Sequence, residues 1–455
     1  MSDTTVYIND LGSLNNIILE IEPPKLFCGD DRDTCINNGI EYIYSYCENN
    51  PKIFCNYDYH DILEDVLDEY LDVIFENINL DDKEIINDIK YDIFKQFYTI
   101  VPKRSRKDNK ITNIIDENYM NKIQNKLDII TEKDKLQPEQ RTQEWFNQRH
   151  NLLSASTIWK SIDKQNYKNA LIFEKCEPID PNKYKRVSIN TPLHWGQKYE
   201  PISQQYYEHK YDAVIEEYGC IPHTTYKFLG ASPDGINVKT TSSRYGRMLE
   251  IKNIVNREIT GIPKKEYWVQ TQLQMECCDL EECDFLECRF KEYEDEEQFN
   301  DDGDFQYTKD SKYKGIMIQY YYNDKPYYEY APFNCSKEDY AIWYEETMSK
   351  NSDKTWIKNI YWRLEEVSCV LIERNRLWFN NVVSEMRELW DTVLEERVTG
   401  YEHRKPSKRV KKEKTSKINS NTLLDCLSSK NKKTNEISSE KSIQKTNKKI
   451  IVIDI

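Results

Sequence analysis

No stretch of the 455 residues approaches the roughly 20 apolar residues that a membrane-spanning helix needs. The opening MSDTTVYINDLG lacks the basic-then-apolar order of a secretory leader. The expectation is an intracellular, soluble protein without a membrane partner. The densest cysteines, Cys277, Cys278, Cys283 and Cys288, contain no C-x-x-C pair, and the 13 cysteines run from Cys28 to Cys426 without a repeated spacing. That argues against a disulfide framework and against zinc, and favours buried, reduced thiols. A net positive charge is also missing: the formal balance is −15. Residues 401–455 carry 15 Lys/Arg against 6 Asp/Glu, leaving 49 against 73 in residues 1–400. An acidic body cannot coat nucleic acid nonspecifically, so contact with it must come from local basic surface or from the basic tail.

What is present is enough apolar material, 38% of the chain, to bury a substantial core. Three regions are expected. Residues 1–135 read as a helical accessory region, with DILEDVLDEYLDVIFENI (61–78) at helical spacing and PKRSRKDNK (102–110) as an exposed basic linker. Residues 136–397 read as an α/β domain. Helices fall at EWFNQRHNLL and HWGQKYEPISQQYYEH, a capped start near Ser154–Ser156, and strands at AVIEEYGCI, KFLGAS, MLEIKNIV, DFLECRF, GIMIQYYY and YYEYAP. Helix EYWVQTQLQMECC lies among the strands, and residues 336–397 return to helix. Residues 398–455 read as a basic, disordered tail.

Chemistry concentrates in GASPDGINVKTTSSRYGRMLEIKN (230–253). Pro-Asp-Gly alone is ordinary turn chemistry. Glu250 and Lys252, however, stand two apart on a predicted strand and so emerge on one face, between apolar neighbours. A surface ion pair is the bland reading of that fragment. Together, Asp234 and Glu250 offer hard oxygen ligands for Mg²⁺ or Mn²⁺, the Ile251 carbonyl offers another, and Lys252 can orient an attacking water. Phosphodiester hydrolysis needs such a set, because charge builds on the transition state and water must be activated.

With these residues in view, the chain resembles the PD-(D/E)XK nuclease superfamily, and within it the phage lambda exonuclease or YqaJ-type viral recombinase group. WFNQRHNLLSAS (145–156), GQKYEPISQQYYEH (196–209), SPDG (232–235), LEIK (249–252) and YWVQTQLQM (267–275) resemble the family's motifs and follow its order. The resemblance implies a restriction-endonuclease-like mixed β-sheet flanked by helices. It implies Glu200 as a further metal ligand beside Asp234, Glu250 and Ile251. Gln270 would steady the catalytic group that includes Lys252, and Gln272 would be a further DNA contact. It implies a 5′-phosphate site at Arg149, Ser156 and Ser232. The polar insert NVKTTSSRYGRM between Asp234 and Glu250 is longer than a minimal hairpin.

The resulting expectation is an Mg²⁺-dependent exonuclease that digests linear duplex DNA from a 5′-phosphorylated end in viral-type recombination or repair. By resemblance it would work as a homotrimer with a single-strand-annealing recombination protein. Abundant Tyr, Asn, Ile and Lys with 12 Gly is a composition of AT-rich genomes, including those of large DNA viruses. The location would then be host cytoplasm, viral factory or nucleus. Two alternatives are an endonuclease on the same fold and a catalytically idle DNA-binding scaffold. Retention of both acids and the lysine speaks against the latter.

Overall fold

The computed structural model describes residues 29–78, 83–107, 116–139, 142–180, 191–323 and 325–405. The loop NKYKR and the basic tail from residue 406 onward lie outside the described residues. In chain order the elements are α1 (Asp30–Asn49), α2 (Tyr59–Ile78), α3 (Lys83–Ile100), α4 (Glu117–Lys135), α5 (Gln143–His150), β1 (Leu153–Ser154), α6 (Ala155–Ile158), α7 (Gln165–Cys176) and α8 (Pro192–Tyr211). Then come β2 (Ile215–Glu216), β3 (Ile221–Pro222), β4 (Leu229–Ala231), β5 (Gly235–Asn237), β6 (Met248–Asn253), α9 (Lys265–Cys278), β7 (Glu282–Glu292) and α10 (Glu296–Asp301). The chain continues through β8 (Lys314–Tyr322), β9 (Lys325–Tyr330), α11 (Lys337–Lys350), β10 (Thr355–Glu373) and α12 (Arg376–Thr399).

The mixed α/β class expected from the sequence is the class observed. A seven-stranded sheet runs in the order β2-β5-β6-β7-β10-β8-β9, and a three-stranded sheet in the order β1-β4-β3. β5 and β6 are antiparallel, whereas β6 and β7 are parallel and joined through α9. A parallel pair needs such a crossover, since no tight turn can join its ends.

Strand alternation divides the large sheet's two faces between two cores. Met248, Cys283 and Phe285 enter one core with Trp268, Val269 and Leu273 of α9. Leu249, Ile251, Leu286 and Cys288 enter the other with Tyr199, Ile202 and Tyr206 of α8. The first core extends through Ile43, Leu67 and Phe97 of the N-terminal helices to Trp378 and Met386 of α12.

Two readings are corrected. Residues 355–373, expected to be helical, form β10, which pairs with both β7 and β8. Its β-branched and aromatic residues alternate as a strand requires, but a bulge between Leu364 and Glu366 breaks the period. Ile360, Trp362 and Leu364 therefore face one core, while Val370 and Ile372, of the same parity, face the other. The basic segment expected to be exposed is partly built in. Arg104 is buried and donates from Nη2 to the Pro263 carbonyl at 2.5 Å, and Arg106 exchanges two backbone hydrogen bonds of 3.0 Å with Leu371.

Candidate active site

The site lies where β5 and β6 part. Their ladder covers Gly235 and Ile236 against Leu249 and Met248, and it stops there. Just before β5, the Asp234 carboxylate accepts from the Ile251 amide at 2.7 Å. Because the N–H and C=O of one strand residue address the same edge, the Ile251 carbonyl faces that opening too. Gly235 is required by close approach: a Cβ there would lie 2.1 Å from Ile215 Cγ2 on β2.

Glu250 and Lys252 emerge together on the α9 face, as the two-residue spacing predicts. Glu250 is completely enclosed, and both its oxygens are engaged. Oε1 accepts from Lys252 Nζ and from Gln270 Nε2, the latter at 2.6 Å, while Oε2 accepts from Gln274 Nε2 at 2.6 Å. The Lys252 ammonium also sits 5.2 Å from the Tyr267 ring centroid. Gln270 and Gln274 stand one helical turn apart and so reach the same carboxylate. Gln272 is turned away: it is fully buried, donates to the Glu373 carbonyl at 2.9 Å and accepts from the Asn375 amide at 2.7 Å. The expected DNA contact at Gln272 is thus a pin for the start of α12. The sequence reading missed Gln274, although the helical period of Q-x-Q-x-Q would have selected it with Gln270.

Negative charge is undercompensated here. Burial lifts the Asp234 carboxyl well above its ordinary range, Glu250 adds to the rise, and Lys252 opposes it. Glu200, on α8, is exposed at the rim, yet desolvation on its protein side raises its carboxyl, followed by the charges of Glu217 and Glu250. Burial alone would lower the Lys252 ammonium, but Glu250 and Asp234 outweigh it and hold it above its usual value. Among the described residues, no three acidic, histidine or cysteine side chains converge closely enough to hold a metal ion by themselves. Glu200 is therefore within electrostatic reach of Asp234 and Glu250 without closing a cage around them. The donor set nonetheless fits a hard divalent cation. Mg²⁺ commonly takes one or two carboxylates and keeps several waters, and crowded carboxylates with a carbonyl at the same edge meet that demand.

A second cluster adjoins the first. β1 and β4 are parallel, with Ser154 beside Gly230, so the residues that follow each strand, Ser156 and Ser232, leave from the same end. Ser154 stands at the N-cap position of the four-residue helix α6 without a side-chain bond to its amides, and its Oγ lies 3.3 Å from Ser156 Oγ and 3.1 Å from Thr157 Oγ1. Burial raises the Cys220 thiol, and the charge of Arg149 and a hydrogen bond to Ser232 draw it back. Arg149 stacks 4.8 Å from the Trp145 ring centroid. Its carbonyl accepts from Lys175 Nζ at 2.7 Å, and Arg397 donates to the His150 carbonyl at 2.8 Å. Burial, then Arg149 and Arg397, lowers the Lys175 ammonium to about 8. Lys175 and Arg397 are far from the motifs in sequence and were not anticipated.

The insert folds back against the sheet. Arg244 and Arg247 donate to Asp284 on β7 at 2.6 and 3.2 Å, and Tyr245 donates to Gln124 on α4 at 2.8 Å.

Residues 144–281, which include every site residue named above except Gln124, Asp284, Glu373, Asn375 and Arg397, match the model of the YqaJ-like viral recombinase domain. This segment is a YqaJ-like viral recombinase domain. An uncharacterized protein of Acanthamoeba polyphaga mimivirus is 29% identical over 323 residues, 62% of this chain. The chain spans 57% of that relative's length. Two crystal structures of an alkaline exonuclease from Laribacter hongkongensis, one with dAMP, align over 58% of this chain and 95% of theirs. Their identities are 19% and 21%, each with a TM-score of 0.31. In the YqaJ-like domain of this chain, the two clusters share one short connection, Ser232 to Asp234.

Proposed function

We propose that this protein is a divalent-metal-dependent exonuclease that hydrolyses linear duplex DNA from a 5′-phosphorylated end. The observation that carries the reading is the single turn Ser232-Pro233-Asp234, which leads from a serine proposed to hold the terminal phosphate to a carboxylate fixed on the Ile251 amide, next to the Glu250–Lys252 pair. Asp234, Glu250 and the Ile251 carbonyl would hold Mg²⁺ or Mn²⁺, with Glu200 adding negative charge from the rim. A cation there would lower the pKa of a bound water and offset charge on the scissile phosphate. Lys252, held by Glu250, donates toward the attacking water or a non-bridging oxygen. Gln270 fixes the Glu250 rotamer, so that no reorganisation is needed when charge develops. Arg149, Ser156 and Ser232 seat the terminal phosphate, which converts binding at the end into positioning of the next bond.

The same reading proposes a homotrimer around the duplex, a single-strand-annealing partner, and a role in viral recombination or repair. Among the described residues no helix is long and apolar enough to cross a membrane. The test is degradation of linear duplexes, 5′-phosphorylated and 5′-hydroxyl, against a covalently closed circle, with and without Mg²⁺. Mg²⁺-dependent loss of the phosphorylated linear substrate with an intact circle is the expected result. Cutting of the circle would favour the endonuclease, and inertness toward all three would favour a scaffold.

A further inference from the structure

Gln274 is fully enclosed, and its carboxamide has only one workable orientation. Nε2 donates to the Ser232 carbonyl at 3.0 Å and to Glu250 Oε2 at 2.6 Å. Both partners are acceptors, so the NH₂ group must lie between them. Oε1 is then left buried without a donor. An unpartnered buried acceptor is destabilising, and an apolar side chain of similar length would avoid it. What the apolar side chain could not do is tie the Ser232 peptide to the Glu250 carboxylate.

Those two attachment points belong to different halves of the site. Ser232 carries a hydroxyl of the anion pocket, and Asp234 follows two residues later with its carboxylate on the Ile251 amide. Glu250 is the other carboxylate of the pair. Gln270, by contrast, reaches only Glu250 Oε1 among the bonds at this carboxylate and has no link to the Ser232 turn.

We propose that Gln274 is a positioning residue that couples occupancy of the terminal-phosphate pocket to the cation-binding geometry of Asp234 and Glu250. The inference rests on the exonuclease reading above. A phosphate held by Ser232 and Arg149 restrains the peptide whose carbonyl Gln274 bonds, and Gln274 passes that restraint to Glu250. Coupling of this kind is reciprocal: a seated 5′-phosphate tightens cation binding by the same factor by which the cation tightens binding of the phosphorylated end. End recognition and chemistry would thus be joined by one side chain.

The test uses the full chain and a short fluorescent duplex carrying either a 5′-phosphate or a 5′-hydroxyl. Anisotropy is read across a Ca²⁺ series, because Ca²⁺ accepts oxygen ligands while supporting little turnover. In the wild type, half-saturating Ca²⁺ should be lower on the phosphorylated duplex by about fivefold or more. Gln274→Met should bring that ratio to about one while both duplexes still bind and the melting temperature holds. Gln270→Met should weaken Ca²⁺ binding on both duplexes and leave the ratio in place. A Gln274→Met protein that keeps the wild-type ratio overturns the proposal. If that variant does not fold, Gln274→Asn, too short to reach both acceptors, takes its place with the same criterion. A wild-type ratio of one, with the phosphorylated end still bound more tightly, overturns the coupling and leaves the end-recognition reading standing. Equal binding of both ends overturns both.

Discussion

Two buried carboxylates on adjacent strands and opposite faces of the large sheet are treated in opposite ways. Asp284, on β7, has Arg244, Arg247 and the Tyr207 hydroxyl around it, with Arg244 and Tyr207 both at 2.6 Å. Glu250, on β6, has one ammonium and two neutral carboxamides, and its charge helps to raise the carboxyls of both Asp234 and Glu200. The first is fully compensated, with Arg247 shared between it and Glu282, and holds the insert against the sheet. The second lies at an opening of the sheet, where one ammonium faces three neighbouring carboxyl groups and positive charge falls short. Burial of a charge is thus not itself a functional signal; the signal is burial with its compensation incomplete.

The largest effect that would sharpen this contrast is loss of turnover. Asp234→Asn, Glu250→Gln and Lys252→Ala should each lower the Mg²⁺-dependent rate by roughly 10³-fold. Asp234→Asn is the cleanest, because its amide oxygen can still accept from Ile251, and its melting temperature should hold or rise. Near-wild-type rates in saturating Mg²⁺ for any of the three would show that the site lies elsewhere.

Asp284→Ala should do the reverse, destabilising the fold by about 3–5 kcal/mol by stranding the buried Arg244 guanidinium and leaving Arg247 with Glu282 alone. Urea unfolding at constant m reads this directly. A loss under about 1 kcal/mol would mean that the pair of arginines finds other partners.

Arg149→Ala comes next, with an expected fall of roughly ten- to hundredfold in the rate ratio between 5′-phosphate and 5′-hydroxyl substrates. An unchanged ratio would remove Arg149 from end recognition.

The smallest effect is on pH dependence. Asp234 and Glu200 are raised in the folded state, so the native protein binds protons that the unfolded chain has already released. Without metal, stability should fall as pH climbs from the ordinary carboxylate range through the raised values. Mg²⁺ competes with those protons, so its stabilising shift in melting temperature should grow over the same window. A shift that stays flat between roughly pH 5 and roughly pH 8.5 would separate these carboxylates from the cation.

Much of the site was legible because its parts are local. SPDG and LEIK each place their groups by turn chemistry and strand alternation, and Gly235, which the close approach of Ile215 requires, is visible in the sequence. Gln270 was legible, but its neighbour in the motif, Gln272, was read in the wrong direction, since only a helical projection distinguishes residues two apart. Lys175 and Arg397 could not be read at all, because their role arises from tertiary packing against α5. β10 was hidden by its bulge, which shifts the apolar period halfway along and leaves a pattern close to helical.

Arg397 carries a consequence for where this protein could be divided. The stretch that matches the domain family's model ends at residue 281. Yet Arg397 clamps the carbonyls of His150 and Lys175 from α12, and β7, the parallel partner of β6, begins at Glu282. An excised 144–281 fragment would keep every inherited motif and lose the struts that aim them. The border of the family match and the border of mechanical integrity therefore differ in this molecule, and the outer helices could be cut away only if equivalent braces replaced them.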